Sequence, residues 1–216
     1  NSSFDINEIE PNLYGTLDFD SKIEGKSNQI SLKDFNIKYN DSSFKGNFQF
    51  DKNQNFITGD INHLFFSEHD LKNIIHTYSG NSSNVFSDLG NLQYKGAIEF
   101  YFQENIKTEG LIKSKYGNIQ IDLDCILNSN SFSDLSYSGI VILDKFEVGK
   151  YLKNDLLGRV SFKTLIEGTG LDLDFRTKID FKDGKVDFNN YSYINITLSG
   201  EMSSKYYKGD FYDVYH

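Results

Sequence analysis

The chain has 216 residues, 38% of them hydrophobic, which is enough for one β domain or a section of a longer β structure and too apolar for a disordered segment. Its formal net charge is −9 and its only arginines are Arg159 and Arg176, which excludes the clustered cations of a nucleic-acid binder and disfavours electrostatic docking on an acidic membrane surface. Nineteen Phe and fourteen Tyr stand beside one Met and no Trp, a balance that suits pleated sheets.

Period-two alternation dominates from the start. Leu13, Gly15, Leu17 and Phe19 share one parity. Ile30 and Leu32 begin a second strand, and Ile37 and Tyr39 continue it after an offset that predicts a bulge or bend. Phe44, Gly46, Phe48 and Phe50 follow. Residues 67–75 then read as a helix: Ser67 can cap it, Asp70 holds the capping-box position, and Leu71, Ile74, Ile75 and Tyr78 share a face. Ser79 to Asp88, rich in Ser, Asn and Gly, reads as a loop and is expected to be the most flexible stretch. Strands are predicted next at 92–102, 119–127 and 137–143, with a helix of at most two turns over 146–152. The last third offers strands at 160–166, 171–175, 179–181, 186–188, 194–198 and 207–211. Asp183-Gly184 is the strongest turn signal and predicts a tight hairpin; 116–118 and 51–55 are further turns. The single proline, Pro11, precedes the first clear strand. The expected sections are 1–66 (β), 67–90 (helix and loop) and 91–216 (main β), all within one continuous domain fragment of a larger protein.

One pattern recurs, apolar-x-Gly-x-apolar, centred on Gly15, Gly46, Gly59, Gly96, Gly139, Gly158, Gly200 and Gly209. Side chains two apart on a strand share a face, so each glycine is expected on the apolar side between two large residues. Three uses are open there: close approach of an opposite wall, sharp curvature, or a channel for something that is not protein. The spacing is irregular, which argues for hairpins of unequal length rather than a solenoid. A sheet of this kind buries one face by curling over itself, leaving either a closed sandwich or barrel with a dry core, or an open apolar trough.

Sites of chemistry are not evident. Cys125 lies in an alternating apolar run and reads as a small buried hydrophobe. His69 and His76 share a helix side with no third ligand, while His63 and His216 stand alone, so no metal site is expected. Asp18, Asp20, Asp122, Asp124, Asp172, Asp174 and Asp180 alternate with apolar residues and read as solvated strand face rather than paired catalytic carboxylates. Gly168-Thr169-Gly170 lacks the rest of a dinucleotide fingerprint, and no nucleophile elbow or phosphate loop occurs. Glycosylation sequons such as those at Asn40 and Asn195 are of the length that arises by chance. No stretch approaches the length of a membrane-spanning helix. The chain is therefore expected to be no enzyme, to need no cofactor and to bind no nucleic acid.

The stretch from Leu156-Leu157-Gly158-Arg159-Val160 through Gly168-Thr169-Gly170-Leu171-Asp172, then 190–200 and Tyr207-Lys208-Gly209-Asp210-Phe211, resembles the translocation and assembly module TamB family in its Bacteroidota form, among the AsmA-like envelope proteins. Leu32-Lys33-Asp34-Phe35, Ser42 to Gly46 and the short helix after Phe66-Ser67 match in style. The resemblance implies a periplasmic segment of a parent anchored in the inner membrane of a Gram-negative bacterium, with a β-barrel partner in the outer membrane. It implies an all-β fold: an elongated, curled sheet with an open, taco-like hydrophobic groove, built of hairpins with one or two short helices. That groove would move phospholipid between the membranes; an older view ties the family to outer-membrane protein assembly. The candidate lining residues are Ile98, Phe100, Ile121, Leu123, Val141, Phe162, Leu173, Phe175, Phe188, Ile196 and Leu198, which would hold acyl chains. Two alternatives stand beside this reading. One is a chaperone-like module that takes nascent outer-membrane proteins by β-augmentation, and the other a purely structural closed sandwich. Open sheet edges would also invite self-association.

Overall fold

The computed structural model describes residues 2–5, 15–79, 87–102, 105–127, 135–169, 176–203 and 207–212. Over these residues the chain is all-β, with antiparallel strands, no closure into a barrel and two short helices. Strands hydrogen-bond in the order in which they occur along the chain. Such a meander needs only short reversals between neighbours, which is what the frequent Asn, Asp and Gly turns supply.

Two compact units divide the chain, Asn1–Gly110 and Leu111–His216. The first holds β1 (Ser2–Asp5), β2 (Thr16–Lys26), β3 (Gln29–Tyr39), β4 (Ser42–Asp51) and β5 (Phe56–Phe66), then helix α1 (Glu68–Ser79), a 3-10 turn (Ser87–Leu89) and β6 (Leu92–Tyr101). Strand β7 (Ile106–Ser114) carries the chain from one unit into the next. The second unit holds β8 (Gly117–Leu127), β9 (Leu135–Phe146), helix α2 (Val148–Leu152), β10 (Leu157–Thr169), β11 (Arg176–Phe188), β12 (Tyr191–Ser203) and β13 (Tyr207–Tyr212). The divisions expected near residues 66 and 90 both fall inside the first unit. Leu171 to Phe175, expected as a strand, lies outside the described residues, as does most of the Ser/Asn-rich loop.

The offset in β3 is a bulge. Its register against β4 shifts between Leu32 and Phe35, and Asp34 there takes a φ of 52°. The shift keeps Ile30, Leu32, Phe35, Ile37 and Tyr39 on one face although their parity changes. Asp183-Gly184 is built the same way, which corrects the hairpin expected there. Strand β11 passes through the pair without reversing, Asp183 has a φ of 56°, and the register against β12 slips between Phe181 and Gly184. The chain reverses instead at Asn189-Asn190, where φ is 47° and 67°. Two left-handed residues in a row are what a two-residue hairpin loop requires, and Asn tolerates that region better than most side chains.

Both helices repeat one arrangement, a pair of strands and then a helix whose entry bonds back to the start of that pair. The Ser67 backbone N–H, before α1, donates to Ser42 Oγ at the start of β4 (3.1 Å). The Glu147 N–H, before α2, donates to the Tyr116 carbonyl just ahead of β8 (2.8 Å). Ser67 also caps α1, its Oγ accepting the Asp70 N–H (3.1 Å). Leu71 and Ile74 of α1 are half-buried while Lys72 and Asn73 are exposed, as the helical spacing predicts.

Few large side chains are fully covered. Among the described residues the buried apolar set is Tyr39, Ile61 and Leu89 in the first unit and Leu135, Phe146, Val160 and Ile196 in the second. The remaining inward apolar residues are half-buried, so each unit has a small sealed core and a much larger apolar face in partial contact with water.

Candidate functional site

Register shows that the first unit has one continuous apolar face. Leu17 and Phe19 of β2 pair with Tyr39 and Ile37 of β3, which pairs Ile37 with Phe44 and Leu32 with Phe48 of β4. Phe44, Gly46, Phe48 and Phe50 pair in turn with Leu64, Ile61, Gly59 and Ile57 of β5. Those four pair with Tyr94, Gly96, Ile98 and Phe100 of β6. Phenylalanine rings line this face edge to edge: Phe35 lies 5.3 Å from Phe19, 5.6 Å from Phe44 and 5.4 Å from Phe48, at steep angles.

Glycines on this face seat aromatic rings. A Cβ built on Gly59 would run into the Phe48 ring, and one on Gly46 would stand 3.0 Å from the same ring. Tyr94 likewise lies across Gly96 and Gly110, and its hydroxyl meets Thr108 Oγ1 at 2.7 Å. At Gly59 the vacated space is taken by the Phe48 ring, while at Gly46 and Gly96 a backbone carbonyl of the adjacent strand, that of Asp60 or Glu109, stands nearer than the ring; these positions leave no gap for a guest. The effect is to lay large rings flat along the sheet, the arrangement by which aromatics compensate strand glycines.

The same face closes at one end and opens at the other. Near α1, Tyr39 and Ile61 are 8% and 7% exposed; at the opposite ends of the strands Ile23, Ile30 and Phe102 reach 68%, 41% and 43%. The closed end is built around a buried carboxylate. Asp70, fully buried on α1, accepts Ser42 Oγ (2.6 Å), the Asp41 N–H (3.1 Å) and Asn40 Nδ2 (3.3 Å). Burial works to raise its pKa, but the hydrogen bonds from Ser42, Ser67, Asn40 and the Asp41 backbone prevail and hold it below the ordinary value. Burial and the Asp70 charge both push the Tyr39 hydroxyl up, against a hydrogen bond with Asn40. Beside this cluster lies a cavity of about 300 Å³. Ile37, Tyr39, Phe44, Leu64 and Phe66 line it from the apolar face, and Ser42, Ser43 and Phe65 complete it.

In the second unit Ile119, Ile121, Leu123 and Cys125 of β8 pair with Leu143, Val141, Gly139 and Tyr137 of β9. Leu143, Val141 and Gly139 pair onward with Phe162, Thr164 and Ile166 of β10. Beyond them come Phe181 and Ile179 of β11, Leu198 and Gly200 of β12, and Phe211 and Gly209 of β13. Gly139 is different from Gly59. Its φ of 149° is one that side chains rarely adopt, and a Cβ there would strike the Asp122 carbonyl and stand 2.9 Å from the Leu123 Cα. Backbone approach, not a seated ring, explains it.

The expected lining residues fall on these faces with exceptions. Ile98 and Phe100 belong to the first unit; Ile121, Leu123, Val141, Phe162 and Leu198 are half-buried on the second face. Ile196, two residues from Leu198 on the same strand and paired with Gly184, is sealed at 2% exposure and belongs to the small core. Phe188 is exposed at the hairpin end. Leu173 and Phe175 lie outside the described residues. A Cβ built on Gly158 would stand 2.7 Å from the Asp187 Cβ, and one on Gly15 would run into the Asn40 side chain. Phe35, Phe44, Phe48, Phe50 and Leu64 of the first unit's apolar face lie outside the expected lining set, although Phe44-Lys45-Gly46-Asn47-Phe48 carries the same motif as the rest.

Polar groups elsewhere offer little chemistry. Asp18, Asp20, Asp122, Asp124 and Asp180 are exposed on the opposite face; Asp172 and Asp174 lie outside the described residues. Burial pushes the Cys125 thiol up, and the Asp124 charge adds to it, so this thiol is not activated. Among the described residues no three His, Cys, Asp or Glu side chains gather as a metal site, and no helix is long and apolar enough to cross a membrane. No family model, no curated protein and no solved structure matches the chain.

Proposed function

We propose that the chain is a section of a hydrophobic β-trough that carries phospholipid acyl chains between the inner and outer membranes, within a periplasmic protein of the TamB and AsmA-like kind. The observation that carries this reading is that each unit presents a largely apolar face on which most of the described large side chains are half-buried. Leaving such a face against water costs about 25 cal/mol per Å², so a fold that keeps it open gains from covering it with hydrocarbon. The trough works without bond chemistry. Methylenes sliding along Phe, Ile, Leu and Val each stay out of water at about 0.8 kcal/mol, and contacts of similar strength along the path keep the chain from being trapped. Native mass spectrometry of the purified chain is expected to show co-purified phospholipid. A lipid-free protein that also takes up no lipid from vesicles overturns the reading.

A second reading rests on a different observation, the lack of closure into a barrel. Open edges could accept a client strand from a nascent outer-membrane protein through backbone hydrogen bonds. Photo-crosslinkers separate the two: at Lys208 of β13 they would capture protein under the chaperone reading, and at Ile121 lipid under the trough reading.

A further inference from the structure

Resting on the trough reading, we infer that the cavity beside α1 is an end pocket that receives the methyl end of a single hydrocarbon chain, with the ligand's head directed toward the open end of the first unit's face. The closed end is lined mainly by carbon. Tyr39, Phe44, Leu64, Phe66 and Ile37 supply rings and methyls. Ser42 Oγ is committed to Asp70 and the Tyr39 hydroxyl to Asn40, while Ser43, the third hydroxyl residue of the lining, pairs with Lys38 and belongs to the opposite face of the sheet. A ligand's own polar group would therefore be buried there without partners.

Charge points the same way. Behind the cavity stands the buried Asp70 carboxylate, bonded to the lining residue Ser42, and the exposed Asp41 adjoins it. Lys38 and Lys45, the cations at this end of β3 and β4, are exposed on the opposite side of the sheet, since their neighbours Ile37, Tyr39, Phe44 and Gly46 face the trough, and Lys33, farther along β3, is paired with Glu24. A phosphate or carboxylate head would meet a like charge and no cation, whereas a methyl terminus meets neither problem. The volume, about 300 Å³, sits at the lower end of ligand sites and suits one slender chain rather than a peptide segment. Rising exposure toward Ile23, Ile30 and Phe102 leaves the other end of the face free for the head.

The experiment uses the whole chain and two photoreactive monoacylglycerols, one with a diazirine at the methyl end and one with it beside the carbonyl. The methyl-end probe is expected to label the segments around Phe44 and Leu64, and the carbonyl-end probe to label toward Ile30 and Phe102. Leu64→Trp, which fills the cavity and adds the chain's only indole, should weaken binding about tenfold or more, equivalent to about 1.4 kcal/mol. Equal labelling by both probes along the face overturns the end pocket while leaving the trough in place. No binding or labelling by either probe overturns the trough itself. If Leu64→Trp fails to fold, the labelling of the unaltered chain still decides the matter.

Discussion

Asp70 shows what one side chain contributes here. It occupies the third position of the helix, where a capping residue would bond back to the backbone; instead it reaches the β3–β4 turn and holds Asn40, Asp41 and Ser42. Because the hydrogen bonds prevail over burial, its folded pKa lies below the ordinary 3.8. Its ionised form therefore stabilises the first unit above that value, and the contribution is lost as pH falls through the folded pKa. Asp70→Ala is expected to cost about 2–4 kcal/mol in urea unfolding at neutral pH, since it strands the buried Ser42 hydroxyl and the part-buried donors of Asn40 and Asp41. Asp70→Asn should flatten the acid limb of stability against pH; an unchanged limb would show that another group sets it. The glycines give a second test. Gly59→Ala should cost about 1–3 kcal/mol by displacing the Phe48 ring, with much of the loss recovered in combination with Phe48→Leu. Gly139→Ala should cost more and be recovered by no side-chain change, because its obstacle is backbone.

At the scale of elements, bulges and turns decide which side each residue faces. Asp34 and Asp183 sit left-handed inside strands, and Asn189-Asn190 sits left-handed between them. The residues are nearly interchangeable locally; what differs is whether the flanking residues pair across or back. Asn190→Ala should cost about 1–2 kcal/mol and Asn190→Gly almost nothing, read by thermal unfolding. A large loss on Asn190→Gly would mean that the Asn side chain, not its backbone, makes the turn. The ties from Ser67 to Ser42 and from Glu147 to Tyr116 place each helix against the strand pair before it, and Glu147 adds an ion pair with Arg159 at 2.6 Å. That pair is largely exposed and contributes position more than stability.

For the molecule as a whole, the small sealed core and the large half-covered face belong together. A sheet that buried its apolar side completely would be more stable and would have no surface to offer. Leu123→Asp combined with Val141→Asp, diagonal neighbours on the second face, should leave the circular dichroism of the fold in place while abolishing lipid transfer between vesicles. Transfer that persists with both charges on the face would count against the trough. Co-purified lipid lost in the same variant would place the cargo on that face.

Strand alternation, the capped helix after Phe66 and the acidic outer face were all legible from the chain alone, because each depends on residues within one turn or one pleat of one another. So was the bulge before Ile37, through its break in parity. Three features needed the tertiary structure. Whether Asp183-Gly184 turns or bulges depends on its partner strand, since the same left-handed backbone serves both. What fills the space over Gly59 depends on a ring from the adjacent strand. Asp70 gains its role only when a turn about thirty residues earlier in the chain is brought against it. Local sequence carries period and propensity; it does not carry which distant backbone a side chain will meet.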